Sequence, residues 1–187
     1  MKGRLFFRFG FAALLLGFLW GCAYPISQRV QNFARKDLTY PVVIENPKEY
    51  SGTTVIWGGI ISGIRNGNEG GQIAILEAPL DGKGNPQIQT IRGMFIATTD
   101  RYLDPKVYQR GKKVTLAGDI SGQETKTIDA IQYVYPVILI LELHLWDEPR
   151  IKFSESYKER LDLGIPFLSP FEEAPDSYPQ ETIGPRE

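Results

Sequence analysis

The chain has 187 residues, with 21 Lys and Arg against 22 Asp and Glu, 42% hydrophobic residues, 12% aromatics, one Cys and one His. That profile is ordinary for a globular protein and excludes a coiled coil, a collagen-like chain and a wholly disordered one; the length suits one core with appendages. A net charge of −1 gives no basic field for a phosphate backbone, so no nucleic acid is expected as a partner, and one Cys with one His leaves neither an intrachain disulfide nor a ligand set for a metal or other cofactor.

Lys2, Arg4 and Arg8 lead into an apolar run over residues 9–20. Twelve helical residues rise about 18 Å, too little for a hydrocarbon core of about 30 Å, so the run reads as the h-region of a signal peptide. Leu19-Trp20-Gly21-Cys22 follows. This resembles the bacterial lipobox, in which an aliphatic, a variable and a small residue precede a cysteine that is acylated and becomes the new N-terminus. Trp20 departs from the small or aliphatic residue usual at its place. The resemblance implies a lipoprotein signal peptide over residues 1–21 and lipidation at Cys22, which makes the protein anchored to a membrane by acyl chains and not a span. Ala23 stands where enterobacterial lipoproteins retained in the inner membrane carry Asp, which implies sorting to the outer membrane. Processing leaves 166 residues with 18 basic and 22 acidic side chains. A product with a net charge near −4 has no evident electrostatic reason to seek anionic lipid.

Residues 22–40 read as a lipidated polar tether ending at Tyr40-Pro41. Strand-like runs rich in β-branched and aromatic residues then occupy 55–64, 72–80, 92–99, 113–120 and 128–146, each bounded by Gly, Asn, Asp or Pro. The fourth alternates, with Val114, Leu116, Gly118 and Ile120 on one face and Lys113, Thr115, Ala117 and Asp119 on the other, so one side of it is expected to be buried. In the fifth, Tyr133, Tyr135, Val137, Leu139, Leu141, Leu143 and Leu145 fall on one face, opposite Glu142, His144 and Trp146. Pro136 needs a junction, bulge or edge because it cannot donate to a ladder. Asn66-Gly67, Ser121-Gly122 and the cluster over residues 81–86 read as loops.

A short repeat organises the middle of the chain. Asn46-Pro47, Tyr50, Gly52, Val55 and Gly59 recur as Asp104-Pro105, Tyr108, Gly111, Val114 and Gly118. In each copy Asn or Asp can cap a single helical turn, Pro suits its first position, and Gly can end it in the left-handed region. The glycine four residues into the next strand permits the bend that curls a sheet toward closure. The two tyrosines are packing anchors or, on a functional reading, a paired platform. Five or six such strands predict an all-β fold, a small antiparallel OB-like barrel over residues 41–150, with a sandwich as the other arrangement. Beyond it, residues 151–187 form a Pro-rich, partly disordered tail, expected to be mobile from about 168, with room for one short helix through Phe153, Tyr157 and Leu161.

Asn46-Pro47-x-x-Tyr50-x-Gly52, Val55-x-Trp57-Gly58-Gly59, Ala78-Pro79-Leu80-Asp81 with Gly84-x-Pro86, Leu103-Asp104-Pro105-x-x-Tyr108-x-x-Gly111, and Tyr135-Pro136 with Leu143-His144-Leu145-Trp146 together resemble the Slp family of outer-membrane lipoproteins. These are the starvation-inducible lipoproteins of Gram-negative bacteria. The resemblance covers residues 40–150 and the lipobox. It implies a lipid-anchored, periplasm-facing envelope protein linked to starvation or stress, and it brings no catalytic activity or cofactor.

Chemistry-bearing groups are sparse. Glu142 and His144 lie two apart on one strand face, the minimum for acid/base work, but no Gly-x-Ser-x-Gly elbow accompanies them. The leading expectation is a non-enzymatic binding or scaffolding module whose candidate contacts are Trp57, Trp146 and His144, with an envelope protein or a glycan as partner. The alternative is a periplasmic hydrolase using His144 and a nearby carboxylate.

Overall fold

A computed structural model describes residues 24–128, 131–151, 170 and 171. The signal peptide, Cys22 and the short helix expected through Phe153 lie outside them. Five strands, β1 (Thr54–Gly67), β2 (Gly70–Glu77), β3 (Gly93–Thr99), β4 (Lys113–Ile128) and β5 (Ile131–Leu145), form one sheet in the order β1-β2-β3-β5-β4 that closes back on β1. The all-β OB-like fold expected from the sequence is the fold observed. One pairing, β3 with β5, is parallel; the others are antiparallel.

The repeat is a two-fold within the barrel. β1 and β4 run antiparallel with Val55 opposite Gly118, Trp57 opposite Leu116 and Gly59 opposite Val114, so corresponding residues of the two copies exchange places. The turns obey the same relation: the Gly52 amide donates to the Ile120 carbonyl at 2.7 Å, and the Gly111 amide to the Ile61 carbonyl at 2.8 Å. Both glycines have positive φ, +80° and +88°, a region costly for residues with a Cβ. Tyr50 and Tyr108 are half-buried against the barrel core, which makes them packing anchors. Gly59 and Gly118 permit close strand approach, since a Cβ there would lie 1.8 Å from the Leu76 carbonyl oxygen and 2.3 Å from that of Leu139.

Inside the barrel Val55, Trp57, Ile61, Ile73, Ile75, Phe95, Val114, Leu116, Ile120 and Ile138 are buried, and the short helix α2 (Tyr40–Val43) adds Tyr40 and Val43 to them. The outside is covered as well. On the outer face of β1, β2 and β3, Ile60, Leu76, Met94 and Ile96 lie under Ile88 and Ile91 of the loop before β3 and under Tyr135 and Val137 of β5, joined by Ile151 and Phe171. A third cluster sets Ile26 and Val30 against Ala117 and Ile56. Val30 belongs to α1 (Gln28–Phe33), for which Ser27 is the N-cap.

These coverings overturn several sequence expectations. The expected tether is packed on the barrel from Tyr24 onward, because Ile26 and Val30 have apolar partners there. Both faces of β4 are buried around Thr115 and Ala117, since the N-terminal segment and the Gly84 loop lie over its outer side. Ser121-Gly122 is a bulge within β4 and not a loop, and Pro136 sits beside it opposite Gln123. The single face expected for β5 is broken: Ala117 faces Glu142 while Gly118 faces Ile140, so Leu141 bulges out. Ile140, Leu143 and Leu145 therefore turn to the core, and Leu139 and Leu141 stay exposed. Of the tail expected to be mobile, Phe171 packs on the outer cluster and stacks under the Arg65 guanidinium at 4.8 Å.

Candidate functional site

A cleft of mixed chemistry, about 480 Å³, opens where the N-terminal segment crosses the barrel. Leu38, Ile56, Trp57, Pro79 and Leu80 supply its apolar walls, and Tyr24, Arg35, Lys36, Asp81 and Arg92 its polar ones. An apolar wall with a few convergent polar groups is the usual make-up of a ligand site, and this volume falls in the range of small-molecule pockets. A second, wider depression of about 850 Å³ by the β1–β2 turn has Leu139 as its one large apolar side chain among Gly and polar residues.

Each wall of the cleft has a local cause. Trp57 comes from β1 and is 4% exposed; its indole N–H donates to the Leu38 carbonyl at 3.0 Å, and its ring meets Tyr40 and Phe95 edge to face at 5.7 and 5.3 Å. Burial pushes the Tyr40 phenol up to about 12. Glu77, at the end of β2, is 1% exposed and holds Arg92 through both guanidinium donors, Nε to Oε2 at 2.8 Å and Nη2 to Oε1. Burial raises the Glu77 carboxyl above its ordinary value, and the Arg92 pairing opposes that shift. On the rim, Arg35 forks onto Asp37 at 2.8 and 2.6 Å, and this pairing lowers the Asp37 carboxyl to about 2. Asp81 accepts from the Lys83 and Asn85 amides and shapes the loop opposite, which holds its carboxyl below the usual range. The Tyr24 phenol is raised by burial and then by Asp81.

The sequence-derived candidates do not gather at one place. Trp57 lines the cleft and is otherwise buried in the barrel core. Trp146 and His144 stand elsewhere, ring to ring at 4.9 Å and nearly perpendicular. The Trp146 indole donates to the Thr115 hydroxyl at 3.0 Å, and that hydroxyl donates to the Gly84 carbonyl at 2.6 Å, so Trp146 and Thr115 brace the loop over residues 81–86. Glu142 is engaged by the N-terminal segment: Oε2 accepts from the Ser27 amide at 2.7 Å and Oε1 from the Ser27 hydroxyl at 2.6 Å. The carboxylate of the suspected acid/base pair is thus a latch. Among the described residues no group of three or more His, Cys, Asp or Glu comes together to hold a metal ion.

The profile of the outer membrane lipoprotein Slp family matches residues 19–178. The chain belongs to that family. The match takes in the Leu19-Trp20-Gly21-Cys22 lipobox and reaches well into the tail, beyond the residues 40–150 on which the sequence motifs rest. Outer membrane protein Slp of Escherichia coli strain K12 is 26% identical over 140 residues, 73% of this chain and 74% of that protein. Among solved structures, the mitochondrial single-stranded DNA binding protein Rim1 of S. cerevisiae shares 13% identity over 50% of this chain and 93% of that one, with a TM-score of 0.30. A small single-stranded DNA-binding protein of Streptomyces coelicolor gives 11%, 51%, 95% and 0.33. Those superpositions carry no argument about ligands. The Slp-family protein is an outer-membrane lipoprotein, and its membrane association follows from that membership.

Proposed function

We propose that Cys22 carries the lipid, and that the barrel is a non-enzymatic binding module of the envelope, facing the periplasm and serving the starvation or stress response that the sequence resemblance implies. The observation that carries the binding reading is the cleft itself: an apolar floor through Trp57 and Leu38, with both signs of charge at its mouth. Apolar walls favour an aliphatic or aromatic side chain or the face of a sugar, and the polar rim fixes orientation. An envelope protein segment or a glycan suits both. The hydrolase alternative loses ground because Glu142, the carboxylate nearest His144 along the strand, has both oxygens occupied by Ser27.

Photo-crosslinking in intact cells tests the reading. Gly82 lines the cleft, and a Cβ there would meet nothing within 4 Å, so a photoreactive residue fits at that position. The expected result is one discrete adduct from Gly82 and none from the same group at Asn68 in the β1–β2 turn. Equal labelling from both sites would overturn the cleft as the binding site. Mass analysis of the membrane-extracted protein should show an acylated N-terminal cysteine; an intact Met1 would overturn the lipidation reading.

A further inference from the structure

The net charge of the mature chain conceals a local asymmetry. Residues 24–36 contain Arg29, Arg35 and Lys36 and no Asp or Glu; Asp37, the next residue, pairs with Arg35, which leaves Arg29 and Lys36 as the cations turned to solvent. They are also the residues fixed to the barrel closest to the anchor: Ile26 and Val30 are buried in the third cluster, Ser27 is held by Glu142, and the Arg35 amide donates to the Thr54 carbonyl at 2.8 Å. Only two peptide links separate Cys22 from Tyr24. At 3.8 Å between successive Cα atoms they span at most about 8 Å. A barrel whose chain is packed from Tyr24 onward therefore has no free tether on which to drift from a bilayer that holds Cys22.

The surface this leaves against the lipid has suitable chemistry. Arg29 and Phe33 lie four apart on α1, hence on one face of it, and both are exposed, Phe33 by 52%. Lys36 is exposed just beyond them, and Tyr24, half-buried, presents an aromatic ring with a polar tip beside the cleft. Cations near the membrane plane are drawn to anionic headgroups, and aromatic rings settle at headgroup level. We infer that the barrel is seated directly on the leaflet that holds its lipid, with residues 24–36 contacting phospholipid headgroups, Arg29 and Lys36 facing their phosphates, and the cleft mouth at headgroup level. This rests on acylation at Cys22. The opposite end of the barrel stays in water: Gly67 is ten residues along β1 from Trp57, up to about 33 Å of strand.

Spin labels on the acylated full-length mature protein in vesicles test the seating, because acylation blocks Cys22 and leaves an introduced cysteine as the sole thiol. Arg29→Cys, Phe33→Cys, Lys36→Cys and Asn68→Cys are compared in phosphatidylethanolamine vesicles containing phosphatidylglycerol. Collision with a water-soluble nickel complex should be several-fold lower at positions 29, 33 and 36 than at 68. Equal collision at all four positions, in protein that floats with the vesicles, would overturn the seating and leave the lipidation reading intact. Protein that does not float would show instead that the lipidation reading fails and would take the seating with it. Reversing the charges, Arg29→Glu with Lys36→Glu, should raise collision at a Phe33 label while the melting curve is unchanged; unaltered shielding would overturn the phosphate contact.

Discussion

Replacing Glu142 by Ala tests whether the N-terminal segment is held by its latch or by its apolar contacts. Two hydrogen bonds to a carboxylate are removed, the Ser27 amide at 2.7 Å and the Ser27 hydroxyl at 2.6 Å, and both lie at an exposed site. Such bonds contribute about 1.5–3 kcal/mol each when charged and buried; solvent screening reduces the pair here to about 1–3 kcal/mol. Ile26 and Val30, 1% and 7% exposed, remain docked. Their burial stabilises the segment by about 1.5–3 kcal/mol each. The segment should therefore stay bound but open more often, by roughly 5- to 150-fold at 1.4 kcal/mol per factor of ten. Hydrogen exchange reads this directly, because the Ala34 amide donates to the Val30 carbonyl and the Arg35 amide to the Thr54 carbonyl. Both amides should exchange faster while those of β2 are unaffected. Unchanged exchange at Ala34 and Arg35 would refute the latch; equal acceleration in β2 would show that the segment unfolds only with the barrel.

Gly59→Ala should destabilise the barrel by at least the roughly 1–3 kcal/mol of an overpacked core, since the new Cβ meets the Leu76 carbonyl at 1.8 Å; a urea midpoint equal to wild type would contradict the close approach. Trp57→Ala should cost about 3–5 kcal/mol and leave the Leu38 carbonyl without its donor, which a thermal melt would register as a large fall. His144→Ala should cost only about 1 kcal/mol, the worth of its edge-to-face contact with Trp146, and leave any envelope-stress phenotype intact; loss of that phenotype with an unchanged melt would favour catalysis. Burial raises the Glu77 carboxyl above 4.5 in the folded state, so its contribution to stability is full below pH 4.5 and is lost as pH rises through the folded value. Across that window the melting temperature of wild type should fall relative to Glu77→Gln, and a constant difference would contradict the raised carboxyl.

What the sequence revealed of this fold was local. Asn46-Pro47 and Asp104-Pro105 with their following Tyr and Gly signalled two like turns, because fixed φ and left-handed glycine act within a few residues; of the two expected caps, Asp104 accepts from the Lys106 amide, whereas the Asn46 side chain makes no cap hydrogen bond and binds Glu49 instead. What it concealed acts over long separations. Ser27 and Glu142 are 115 residues apart, and neither residue type announces a partner in another element. The Leu141 bulge reversed the expected face of β5 because alternation holds only while the register is unbroken. Trp57 serves as core and as cleft wall at once, a double role that its residue type allows but does not announce. The basic run over residues 24–36 was readable but averaged away in a net charge that is slightly negative.

OB barrels commonly present the outer face of their second and third strands, flanked by the β1–β2 and β4–β5 loops, to oligonucleotides or oligosaccharides. In this protein that face is filled by its own chain. Leu76, Met94 and Ile96 lie beneath Tyr135, Ile88 and Ile91, so the β4–β5 hairpin that would flank a ligand contributes to the covering. The β1–β2 connection is a two-residue turn, Asn68-Glu69 between the paired Gly67 and Gly70, too short to close over anything. Exposing the face would mean stripping Tyr135, Phe171 and Ile151 from apolar neighbours, at about 25 cal/mol for each Å² returned to water. A ligand meets less resistance at the end where the chain leaves its anchor. There Trp57 is part of the wall, Arg92 is already paired, and the apolar walls need no covering element removed.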